Sequence, residues 1–119
     1  MSDRRIHQAT AATNYALAKQ LEVIGGDALC WVPTLIYYAA LQVADCRLAD
    51  YNHHERESGN RIALVRTYAT NPYGAASLTS LKTRSERWRY HGDIPTSGEI
   101  QEAWGHAKAV AEALGESLP

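Results

Sequence analysis

A chain of 119 residues has room for one domain and one core. Its formal net charge of −1 excludes a protein that coats nucleic acid by bulk electrostatics, though not one with a local basic site. Hydrophobic residues make up 45% of it, too many for a disordered segment.

The start, MSDRRIHQAT, lacks the apolar stretch of a secretory signal. The most apolar run, 28–44, is interrupted by Pro33, Thr34 and Gln42 and reads as a core helix rather than a membrane span. A cytoplasmic protein without membrane contact is the expectation.

Ile6, Thr13, Leu17, Leu21 and Ile24 recur at helical spacing. They predict a first helix from about Asp3 to Ile24, capped by Ser2 or Asp3 and stopped by Gly25 and Gly26. From about Asp27 to Tyr51 the apolar residues cover more than one face, as in a helix at the middle of a bundle. Pro33 is tolerated only in a first turn, so the regular part of this helix begins close to Trp31. Cys30 and Cys46 on one helix would stand roughly 24 Å apart. That is beyond disulfide reach, and reduced thiols fit a cytoplasmic protein.

A polar break follows at Tyr51, Asn52, His53 and His54, then a third helix around Glu55 to Ala69 with Ile62, Val65 and Tyr68 inward. Gly59 weakens its start. Thr70, Asn71 and Pro72 form a turn. The fourth helix spans about Tyr73 to Tyr90, with Leu78, Leu81, Ser85 and Trp88 on one face. After the loop at Gly92, the pair Thr96 and Glu99 matches a capping box. Ile100, Ala103, Trp104, Ala107, Ala111 and Leu114 then line the inside of a last helix ending at Gly115. The fold class is therefore all-α, an antiparallel four- to five-helix bundle in a single domain over residues 1–119.

The stretch from Trp31 to Gln42, with its Tyr37, Tyr38, Ala39, Ala40 and Leu41, resembles the central helix of one branch of the HEPN (higher eukaryotes and prokaryotes nucleotide-binding) domain family. His54, Glu55 and Arg56 after the next loop extend the likeness, as do Tyr73, Leu78, Ser85, Arg89 and Tyr90. It covers roughly residues 12 to 114. Two positions depart from the pattern: Gln42 stands where the branch often has His, and Ile36 where it has an aromatic. The resemblance implies a dimerising bundle. It also implies a metal-independent ribonuclease without cofactor, of the kind found in toxin–antitoxin or antiviral systems with an antitoxin or other protein partner. The alternative is a member that has lost catalysis and binds a nucleotide or a partner protein.

Cleavage of RNA by its own 2′-hydroxyl needs a base, an acid and a cation for the phosphate. Imidazole suits the proton work at neutral pH, and the arginine fork matches phosphate geometry. The family's usual motif is Arg and His separated by four to six intervening residues. Arg47 with His53 or His54, and Arg84 with His91, meet that spacing, but neither carries the usual residue after the Arg. The first candidate site is the loop after the central helix: Arg47, Asp50, His53, His54 and Arg56. Catalytic roles fall to Arg47, His53, His54 and Arg56, no metal ligands are assigned, and a solvated polar loop is the competing reading. A small metal site of Asp50, His53 and His54 is the weaker third possibility. The second candidate is a basic stretch, Lys82, Arg84, Arg87, Arg89 and His91, with Trp88 among them, suited to gripping RNA. Cations favoured at a helix C-terminus explain it equally well. Gln42 and Asp45 are polar residues on the buried helix and need partners, either arginines of neighbouring helices or a dimer cleft.

Overall fold

The computed structural model describes residues 3–119, apart from the side chains of Asp3 and His91. The cap expected at Ser2 or Asp3 lies outside the described residues and side chains. Among the described residues there are five α-helices: α1 (Asp3–Ile24), α2 (Val32–Asp50), α3 (Ser58–Tyr68), α4 (Tyr73–His91) and α5 (Ser97–Ala113). A 3₁₀ turn, Gly26–Trp31, precedes α2. Gly25 and Gly26 both take positive φ, 69° and 59°, and end α1 in a conformation that other residues adopt at a cost. Pro33 falls in the first turn of α2, where its missing N–H leaves no bond unmade. At α5 the Thr96 hydroxyl accepts from Glu99 N–H at 3.1 Å, and the Glu99 carboxylate accepts from Thr96 N–H at 3.0 Å, completing the capping box.

Contacts set the directions. Arg4 meets Asp50 while His7 meets Gln42, so α1 runs antiparallel to α2. Arg4 with Glu116 and Tyr15 with Trp104 set α1 antiparallel to α5. Arg84 with Glu102 and Ser77 with His106 do the same for α4 and α5. The core gathers Ile36, Tyr37, Leu41, Val65, Leu78, Leu81, Val110 and Leu114 around α2. Gly74 lets α4 start hard against the end of α5, because a Cβ there would stand 2.7 Å from that of Ala113. The segment Gly26–Asp50 is long and apolar enough to cross a membrane by length and composition, but 67% of its most apolar window is buried inside the bundle.

Of the stripe on α1, Ile6 (63%), Leu17 and Ile24 (70%) are exposed, while Leu21 packs against the core. The docking face is Arg4, His7, Ala11, Ala18 and Glu22, where small residues permit close approach to α2 and α5. On the central helix Tyr37 is buried, whereas Tyr38 and, in the turn before the helix, Trp31 are exposed. The third helix begins at Ser58, three residues later than expected, because residues 53–57 are held in a loop.

Candidate functional site

The end of α2 decides where the first candidate residues go. Asn52 takes φ 62°, a left-handed turn that Asn tolerates better than most residues. His53 N–H donates to Leu48 C=O at 2.9 Å and Asn52 N–H to Ala49 C=O at 2.9 Å, the bond pair of a Schellman stop. This reversal parts the two adjacent histidines. His53 Nε2 meets the Tyr68 hydroxyl at 2.9 Å, and Tyr68 stacks on Tyr51 at 4.2 Å. Arg47 lies over the other side of that stack, 5.4 Å from the Tyr51 ring. His54 turns the other way and contacts Asn52 Oδ1 at 3.3 Å.

His54 and Arg56 line a cavity of about 340 Å³ together with Ile6, His7, Asp45, Glu55 and Arg61. Arg47 and His53 are not among its lining residues. Arg47 is two residues along α2 from Asp45 and so on nearly the opposite face, and His53, beyond the end of α2, stands with it in the aromatic stack. Asp50 pairs with Arg4 at 2.9 Å, apart from both histidines of the third possibility. Among the described residues no group of three or more His, Cys, Asp or Glu side chains could hold a metal ion.

Asp45 is the anchor of the cavity. Its side chain is 6% exposed and pairs with Arg61 of α3 at 3.0 Å, with His7 of α1 at 3.8 Å. Burial pushes the Asp45 carboxyl above its ordinary range, and the charges of Arg61, His7 and His54 pull it back. Arg61 also donates from Nε to the Glu55 carbonyl at 3.0 Å, which ties the loop bearing His54 and Arg56 to the start of α3. His7 Nδ1 lies 2.9 Å from Gln42 Oε1. With the amide carbonyl accepting, Nδ1 carries the proton and Nε2 is the basic nitrogen of the ring. The polar residues of the buried helix thus find their partners within the chain, one arginine and one histidine.

The basic stretch of α4 is divided in the same way. Arg84 pairs with Glu102 at 2.8 Å, and Arg87 with Glu99 at 3.5 Å and Asp93 at 3.7 Å. These arginines answer acids of α5 and its loop. Trp88 is 1% exposed, so no base can stack on it. Arg89 points elsewhere: its Nη1 donates to the Tyr38 hydroxyl at 3.3 Å, and its guanidinium lies over the Tyr90 ring at 4.7 Å. Lys82 is half-buried, and its carbonyl accepts from the Ser85 hydroxyl. The side chain of His91 is outside what is described.

Sequence reading missed two residues of the cavity, Arg61 of α3 and His7, the latter 35 positions before Gln42. The signal for His7 was available: Arg4, His7, Ala11 and Ala18 keep helical spacing with small or polar side chains, facing a helix with two buried polar groups to satisfy. In comparisons with known proteins, no family model, no curated protein and no solved structure matches this chain.

Proposed function

We propose that this chain is a HEPN-like, metal-independent endoribonuclease that acts on single-stranded RNA as a homodimer, in a toxin–antitoxin or defence setting. The observation that carries the reading is one cavity lined by two imidazoles, His7 and His54, and two guanidiniums, Arg56 and Arg61, around the buried Asp45 carboxylate. His7 Nε2 takes the proton of the 2′-hydroxyl, and Gln42 fixes the tautomer that makes this nitrogen basic. The freed oxygen attacks the adjacent phosphorus, the bond to the 5′-oxygen breaks, and a 2′,3′-cyclic phosphate forms. His54 protonates the departing 5′-oxygen. Arg56 neutralises the phosphate. Asp45 and Arg61 are positioning residues that hold His7 and the loop. His7 also supplies an imidazole beside position 42, where the resembling branch often carries its own.

The test is the rate at which purified protein cuts a single-stranded RNA in the presence of chelator. His7→Ala and His54→Ala are each expected to slow cleavage by roughly 10²–10⁴-fold, the usual worth of a general acid or base. His53→Ala, altering the separate aromatic stack, is expected to keep the wild-type rate. Full activity in both His7→Ala and His54→Ala removes the assignment. The second reading, a non-catalytic module, is favoured by Gln42 at the family's histidine position. It gains support if no variant or condition yields cleavage while a nucleotide raises the melting temperature by mass action.

A further inference from the structure

Between residues 31 and 46, every side chain is buried except four: Trp31, Leu35, Tyr38 and Gln42. At about 100° per residue these four fall on one narrow stripe, and Asp45 continues it. The uncovered side of the central helix is therefore a track. It ends at Gln42, which together with the buried Asp45 next along the stripe holds His7 at the cavity. Tyr38 precedes Gln42 by about 6 Å along the axis and Trp31 by about 16 Å.

The track is aromatic. Trp31 is 50%, Tyr38 40% and the neighbouring Tyr90 of α4 73% exposed. Arg89 joins the two tyrosines, donating to one hydroxyl and lying over the other ring. Exposed rings with an interleaved guanidinium are the equipment by which proteins hold single strands: every base has a face to stack, and the cation answers a phosphate. The exposed Leu17, Val23 and Ile24 of α1 form a different surface, which is aliphatic.

We propose that Trp31, Tyr38 and Tyr90, with Arg89 between the tyrosines, form a stacking platform for the bases of a single-stranded RNA whose reacting phosphate lies in the His7–Asp45 cavity. The choice of RNA as occupant rests on the ribonuclease reading above and on the continuity of track and cavity. Glu86 lies one turn before Arg89 on α4, which keeps the local net charge small. Ring faces rather than bulk charge therefore supply the affinity, and binding weakens only shallowly with salt.

The experiment measures anisotropy of a fluorescein-labelled single strand of about 12 nucleotides, 2′-O-methylated so that it cannot be cut. The same length as a duplex, and as an abasic strand, serve as comparison probes. Tyr38→Leu, Tyr90→Leu and Trp31→Leu are each expected to weaken binding of the single strand about fivefold or more. The abasic strand and the duplex bind weakly and respond little to these substitutions. Tyr90 is so exposed that its replacement leaves folding intact, so the test stands even if a Tyr38 variant is unstable.

Equal affinity in wild type and the Tyr38→Leu/Tyr90→Leu double variant overturns the platform. So does equal affinity for the abasic strand, or failure of the wild type to bind the single strand. A change in sedimentation mass with RNA affinity intact would make the face a self-association surface and likewise overturn it. Weakened binding in the variants, with unmodified RNA never cut by the wild type, keeps the platform and defeats the ribonuclease reading. Cleavage with neutral platform variants does the reverse.

Discussion

Removing Arg61 strands a buried carboxylate. Arg61 and Asp45 approach to 3.0 Å, with side chains 16% and 6% exposed. At an effective dielectric of ~20 two charges at that separation attract by about 5 kcal/mol, most of which offsets their desolvation. Taking away one partner exposes the uncompensated penalty, typically about 3–5 kcal/mol. The pair borders an open cavity and His7 remains 3.8 Å away, so Arg61→Leu is expected to cost about 3 kcal/mol near neutral pH. The pH dependence has a definite sign. The folded Asp45 already binds its proton more tightly than an unfolded aspartate, and loss of Arg61 tightens it further. Its stabilising contribution is full below the ordinary value of 3.8 and is lost as pH rises through the raised one. The penalty of Arg61→Leu in urea denaturation should thus grow as pH rises from acid toward neutrality. Asp45→Leu combined with Arg61→Met should recover most of the loss. A cost below about 0.5 kcal/mol, flat with pH, would refute the pairing.

Two further outcomes follow from packing. Gly74→Ala places a methyl 2.7 Å from the Ala113 Cβ, which cannot rotate away; urea unfolding should show a loss of about 1–3 kcal/mol, largely restored by adding Ala113→Gly. The Cys46 thiol is 3% exposed and burial pushes it up to about 11 from its ordinary 9.0, so at pH 8 iodoacetamide should modify it about a hundredfold more slowly in the folded protein than in urea. Equal labelling in both states would show that the α1–α2 seam opens freely.

Helix positions were legible where local chemistry decides them. Thr96 and Glu99 announce the α5 cap, the two glycines close α1, and Pro33 marks the first turn of α2. The facing of α1 was not legible. Its aliphatic residues divide, Leu21 packing on the core and Ile6, Leu17 and Ile24 remaining exposed, while the helix docks through alanines and through polar groups satisfying Gln42 and Asp45. The site was half legible for a related reason. His54 and Arg56 reach the cavity and Arg47 and His53 do not, and the left-handed turn at Asn52 makes that division. Adjacency in sequence carries no information about which side of such a turn a side chain takes. Arginine count was a poor guide on α4, because the acids that neutralise Arg84 and Arg87 come from another helix.

The central claim is that RNA is cut at the Asp45 cavity by His7 and His54. The most direct measurement is end-group analysis of single-stranded RNA incubated in chelator with wild type and with His7→Ala/His54→Ala. The account predicts 2′,3′-cyclic phosphate and 5′-hydroxyl ends from the wild type and none from the double variant. Products with 3′-hydroxyl ends, or cyclic phosphate produced undiminished by the double variant, would contradict it.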